Sequence, residues 1–109
     1  MIMDVKEFEA IYGCAAPADL IELCKMRCPV RFELDDGPVV EVQYFLSIER
    51  QAAKKIEKPF YAFAVSTDGN DLLIDLRDES FVILQDEFGD IYSIGITLGS
   101  LLQAKVCNL

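Results

Sequence analysis

One stretch of this sequence, Phe60 to Thr67, is apolar on both faces of an extended chain. That pattern is typical of a central β-strand covered on both sides. The turn-forming residues Asp68-Gly69-Asn70 come next. A strand follows with Leu72, Ile74 and Leu76 on one side and Asp71, Asp75 and Arg77 on the other. Strands joined by so short a turn pair antiparallel, since a parallel pair needs a crossover of about a dozen residues or more. The chain is therefore expected to form an antiparallel sheet.

The segments around this pair predict further strands and several helices. The helices are expected to begin at Asp4, at Pro17, at Ser47 and at Thr97, the second ending at Pro29 and the last including Leu98, Leu101, Leu102 and Val106. The strands are Phe81–Gln85, Ile91–Ile94 and a hairpin of Arg31–Asp35 with a second arm in which Val40, Val42, Tyr44 and Leu46 share a face. This order predicts a single α+β domain over 1–109, with an antiparallel sheet of about five to six strands and helices packed mainly on one face. The other face or rim is expected to be solvated.

The charge balance limits what this chain can bind. Its 109 residues include 19 acids and 10 bases, for a net charge of −9. A polyanion repels phosphate backbones and anionic lipids, so neither nucleic acid nor a membrane is expected as a partner, and any charged partner is expected to be basic. The N-terminus has acids where a secretory signal has positive charge followed by an apolar run, which predicts a cytoplasmic protein.

The sequence lacks the usual components of a catalytic or cofactor site. It has no histidine, the commonest general base, and it has no P-loop, GxGxxG, GxSxG or CxxC motif. Cys14, Cys24, Cys28 and Cys107 do not have the spacing of a zinc ribbon, so they are interpreted as reduced thiols in or near the core. Asp86 and Glu87 would need a cleft and a raised pKa to act as an acid and base pair, and adjacent residues of a strand face opposite sides. No enzyme activity, cofactor or metal site is predicted.

The negative charge is concentrated in the later strands and their turns. Between 66 and 92 the chain has eight acids and one base, Arg77, which gives −7. The acids predicted to form a partner-binding surface are Asp68, Asp71, Asp75, Asp78, Asp86, Glu87 and Asp90. If these strands are neighbours, their carboxylates converge on one rim or face and speed the approach of a cationic partner. The plainer interpretation is a solvated surface that keeps the protein soluble.

Several segments together resemble the SUKH superfamily, which contains a fungal cell-wall assembly regulator and many bacterial immunity proteins. The similar segments are Ala16-Pro17-Ala18-Asp19-Leu20, the run from Phe63 to Asp71, Leu73–Leu76, Val82–Leu84 with Asp86-Glu87, and Ser93–Leu102. The resemblance implies an α+β domain that binds a toxin directly, often a nuclease or deaminase, without catalysis of its own.

Two functions follow from these observations. The first is a non-enzymatic immunity protein that covers the nucleic-acid groove of a basic toxin domain with the seven acids named above. The second is a regulatory domain that binds a small ligand or peptide in a pocket between sheet and helices, lined by Tyr44, Phe60, Phe63 and Tyr92.

Overall fold

The computed structural model describes residues 4–35, 37, 39–47, 50, 60–77, 81–85 and 90–108, and the side chains of 81, 82, 84, 92 and 94 are not part of that description. The helices in these ranges are α1 (Val5–Tyr12), α2 (Ala18–Cys24) and α3 (Leu98–Gln103). The strands are β1 (Val30–Glu33), β2 (Val39–Phe45), β3 (Phe60–Ser66), β4 (Asp71–Asp75), β5 (Phe81–Gln85), β6 (Ile91–Thr97) and β7 (Lys105–Asn108).

The strands form one antiparallel sheet in the order β6-β5-β4-β3-β2-β1-β7. The α+β class is therefore confirmed, with seven strands in the sheet where about five to six were expected. Strand β3 is the middle one, and its residues Tyr61 to Val65 are all buried. The apolar run at 60–67 is thus explained by the central position of β3, where neighbouring strands and both faces exclude water.

The C-terminus differs from the prediction. Helix α3 begins as expected, because the Thr97 hydroxyl accepts a hydrogen bond from the Ser100 N–H at 3.1 Å. It ends at Gln103, and Val106 lies in β7, opposite Phe32 of β1. The predicted continuation of the helix through Val106 is therefore wrong. Pairing with β1 satisfies the backbone groups on the inner side of this edge strand, which is a tertiary effect that local apolar spacing does not reveal.

The first two helices are short. Asp4 caps α1 by accepting a hydrogen bond from the Glu7 N–H at 3.1 Å, and Gly13 ends it with a positive φ of 71°. Helix α2 follows Pro17 and ends at Cys24, so the prediction that it continues to Pro29 is wrong. The segment between α2 and β1 is therefore a loop.

The buried clusters on the two faces of the sheet differ in size. The helices cover one face, where their buried side chains pack with those of the strands around Phe32, Phe63 and Ile74. The other face holds a smaller buried group, Leu46, Ala62, Val65, Leu73 and Ile83. The middle of this second face is therefore buried, whereas a solvated face or rim was predicted.

A β-bulge in β2 changes which residues face the core. The pairing with β3 shifts register between Val42 and Tyr44, so Tyr44 is 39% exposed while Phe45 is buried on the helix-covered face. The expected alternation through Tyr44 to Leu46 is therefore wrong, because the bulge inserts one extra residue. The predicted cap at Ser47 is present, since its hydroxyl accepts from the Arg50 N–H at 3.2 Å. The rest of that predicted helix lies outside the described residues.

Candidate functional site

Antiparallel pairing brings three connections of the sheet to one end. Strands β1, β3 and β5 run in the same direction, so the connections that follow them lie at the same end. We call this the acidic end and define it by Asp35, Glu41, Asp68, Asp71 and Asp90. Asp35, Asp68 and Asp90 are exposed, whereas Glu41 and Asp71 are half-buried.

The turn between β3 and β4 presents Asp68 on a well-bonded loop. The Ser66 N–H donates to the Asn70 carbonyl at 2.8 Å, and the Asn70 N–H donates to the Ser66 hydroxyl at 3.1 Å. Gly69 supplies the left-handed conformation that the reversal needs, with φ of 88°. These hydrogen bonds close the turn between β3 and β4, and the exposed Asp68 lies within it.

Strand register places the other acids of this end beside the turn. Asp71 is opposite Gln85, which is opposite Ile91, so the backbone next to Asp90 lies two strand spacings, roughly 10 Å, from Asp71. On the other side, the Thr67 hydroxyl donates to Glu41 Oε1 at 3.0 Å. The acidic end thus extends across β2 to β6.

Only part of this negative charge is balanced locally. Arg31 lies 3.1 Å from Glu33 and 3.6 Å from Glu41, measured between side-chain nitrogen and carboxylate oxygen. Asp35 and Asp68 have no basic partner within ion-pair distance among the residues described here. These two exposed carboxylates are therefore available to a cationic partner.

The structure separates Asp75 from the other predicted site residues. Asp75 is at the far end of β4, about 13 Å along the strand from Asp71. It is only 7% exposed, and it accepts hydrogen bonds from Arg77 Nη2 at 2.7 Å, from Nε at 3.0 Å and from the backbone N–H at 2.9 Å. These bonds lower the pKa of Asp75 and outweigh the effect of its burial. Asp75 is therefore a counter-ion within the fold and does not join the acidic end.

The remaining predicted acids, Asp78, Asp86 and Glu87, lie outside the described residues. Asp35 and Glu41 were not among the predicted site residues, all of which came from the later strands. The available signal was topological: in a series of antiparallel strands, every second connection lies at the same end of the sheet.

The cysteines do not form a cluster. All four are free, Cys14 is exposed and Cys24 is buried. Burial raises the pKa of Cys24 to about 11 and also raises the pKa of Cys28, so both thiols are neutral near pH 7. Nowhere in the described part of the chain do three Cys, Asp or Glu side chains converge as metal ligands would.

The aromatic residues of the predicted pocket are also separated. Phe63 is fully buried in the core, and Phe60 packs on the other face with the Arg77 guanidinium 5.9 Å from its ring centre. Tyr44 lines an open cavity with a volume of about 460 Å³, and neither Phe60 nor Phe63 is among the lining residues of that cavity. The side chain of Tyr92 is outside the description.

Comparison of this chain with protein-family models, with curated proteins and with solved structures finds no match. None of the described helices is both long enough and apolar enough to cross a membrane.

Proposed function

We propose that this chain is a non-enzymatic binding module that holds a basic protein through its acidic end, as a cytoplasmic immunity protein would hold a nucleic-acid-targeting toxin domain. The observation that carries the proposal is the pair of exposed carboxylates, Asp35 and Asp68, at the same end of the sheet and without basic partners among the described residues.

The electrostatics of this end support a protein partner of opposite charge. Carboxylates on short, hydrogen-bonded turns pair with Arg and Lys side chains without a large loss of conformational entropy. A protein that binds nucleic acid already carries a cationic groove, and an acidic module of this kind can occupy that groove in place of phosphates. The net charge of −9 also accelerates the encounter at low ionic strength.

The immunity role is proposed from the short segments that resemble the SUKH superfamily, many of whose members are immunity proteins. The lack of histidine and the neutral state of Cys24 and Cys28 also favour binding over catalysis.

The test is a titration of this protein against a panel of catalytically inactivated, basic nuclease and deaminase toxin domains, with affinity measured by calorimetry at several salt concentrations. We expect binding to at least one domain, weakening steeply as salt rises. The double variant Asp35→Lys/Asp68→Lys should weaken it by about a hundredfold, because each reversal replaces an attraction with a repulsion.

A second double variant, Glu9→Lys/Asp19→Lys, makes the same change of net charge at exposed positions of α1 and α2. It should retain most of the affinity, since these helices lie on one face of the sheet and not at the acidic end. Equal weakening by both variants, salt-insensitive binding, or no binding to any domain of the panel would each contradict the proposal.

A further inference from the structure

A cavity of about 460 Å³ opens at the end of the sheet opposite the acidic end, where β1 begins and β2 finishes. It is lined by the loop after α2, from Lys25 to Cys28, and by Tyr44 and Phe45. It is an open groove with room for a small molecule. In a chain of net charge −9, two of its six lining residues are cationic.

The cationic side chains around this cavity form at most weak ion pairs with the carboxylates of the described residues. Arg27 is exposed and has no carboxylate within ion-pair distance among the residues that the structure describes. The Arg50 guanidinium lies 5.8 Å from the centre of the Tyr44 ring, as in a cation–π contact. Lys25 Nζ is 3.0 Å from Glu22, but both side chains are more than half exposed, so this pair is easily exchanged.

The apolar part of the lining supplies a surface for a ring or a hydrocarbon group. Met26 adds a flexible thioether, and the Tyr44 ring is exposed only because the bulge in β2 turns it away from the core. The thiol of Cys28 adds no negative charge, because burial raises its pKa. The cavity thus combines fixed positive charge with an aromatic wall.

We propose that this cavity binds a small organic oxyanion, a phosphate or carboxylate attached to a planar or apolar group. Arg27, with Lys25 and Arg50, holds the charged oxygens, and Tyr44 and Met26 contact the attached group. The site does not depend on the proposed function, since none of its residues belongs to the acidic end.

The experiment uses the whole protein labelled with ¹⁵N and follows backbone amide shifts while phenyl phosphate, benzoate or inorganic phosphate is added. We expect saturable shifts at Met26, Arg27, Cys28 and Phe45 with phenyl phosphate, benzoate or both, and the two compounds distinguish the phosphate from the carboxylate. Inorganic phosphate should bind more weakly, because it makes no contact with Tyr44.

Matched variants locate the interaction. Arg27→Gln should weaken binding of the preferred compound by about tenfold, and Arg50→Gln by a similar factor, because each removes a charge-assisted contact. Tyr44→Ala should remove the advantage over inorganic phosphate. Lys6→Gln loses the same unit of charge at an exposed position of α1 and should leave the affinity unchanged.

Two controls keep the test decisive. The thermal midpoint of each variant shows whether it is folded, and Arg50→Gln replaces Arg27→Gln if the latter is not. Asp35→Lys/Asp68→Lys should bind the compound as the parent does, so a failure of the proposed function would leave this result intact. Shifts that do not saturate, that appear equally around Lys6, or that persist unchanged in both arginine variants would overturn the proposal.

Discussion

Among the described residues, the two ends of the sheet carry charge of opposite sign and pair it in different ways. At the acidic end the carboxylates of Asp35 and Asp68 are exposed and unpaired among the described residues. The opposite end, which we call the basic end, has Lys25, Arg27, Arg50 and Arg77 around the starts of β1 and β3 and the finishes of β2 and β4. Asp75 lies at the basic end as the buried partner of Arg77. The burial and pairing of an acid thus depend on which end of its strand it occupies.

The largest expected effect concerns Asp75, the buried acid at the basic end. Asp75→Asn should lower the free energy of unfolding at pH 7 by about 2 kcal/mol, because it weakens three hydrogen bonds from Arg77 to a buried carboxylate. Urea unfolding measures the loss. Asp68→Asn removes the same charge from an exposed turn of the acidic end and should change stability by less than about 0.5 kcal/mol. Similar losses in both variants would abolish the distinction between the two ends.

The same pair gives the protein a defined acid sensitivity. The pKa of Asp75 is lowered from its usual 3.8, chiefly by the side-chain hydrogen bonds from Arg77, so the folded state binds a proton less readily than the unfolded state. This contribution to stability is fully present above about pH 5 and is lost as the pH falls through the lowered pKa. The difference between parent and Asp75→Asn should therefore shrink below pH 4. A difference that stayed constant down to pH 2 would show that the Asn side chain disturbs packing instead.

A smaller effect is expected from Arg31, which pairs with Glu33 and with Glu41 of the acidic end. Arg31→Gln leaves Glu33 and Glu41 side by side without their shared counter-ion. Because all three side chains are more than a third exposed, the cost should be about 0.5 kcal/mol in low salt and close to zero in 1 M salt. Unfolding by urea at both salt concentrations measures it. A cost of 2 kcal/mol that salt does not reduce would mean that this network supports the fold as the Asp75–Arg77 pair does.

The smallest effect is expected at the basic end. Lys25→Gln removes an ion pair whose two side chains are 54% and 60% exposed, so the free energy of unfolding should change by less than about 0.3 kcal/mol. Thermal unfolding at low salt is the measurement, and Lys6→Gln is the matched control on α1. If Lys25→Gln were clearly more destabilising than the control, the lysine would have a structural role, and its availability to a ligand would be in doubt.

Local patterns in the sequence predicted the structure correctly where it depends on contacts between residues that are close together in the chain. The capping side chains of Asp4 and Thr97 and the tight turn at Asp68-Gly69-Asn70 occur as predicted, because each depends on contacts a few residues apart. The central strand at 60–66 was also recognisable, since burial on both faces demands apolar residues at every position.

Prediction was wrong where a distant segment decided the outcome. Val106 continues the apolar spacing of α3, yet β1 pairs with its segment as a strand. Tyr44 continues the alternation of β2, yet the bulge opposite β3 exposes it and so forms the wall of the cavity. Neither effect is visible in the neighbouring residues, and the predicted pocket therefore grouped Tyr44 with Phe60 and Phe63, which do not line the cavity.

The sequence by itself determined the α+β class, the antiparallel core and the excess of negative charge, because composition and periodicity act through burial and short turns. Only the tertiary structure decided which charges meet. The direction of each strand sends successive connections to opposite ends of the sheet, so Asp35 joins Asp68 across 33 positions of sequence, while Asp75, four residues from Asp71, lies at the other end. Proximity along the chain and proximity in space are different quantities in a folded sheet, and electrostatic recognition depends on the second.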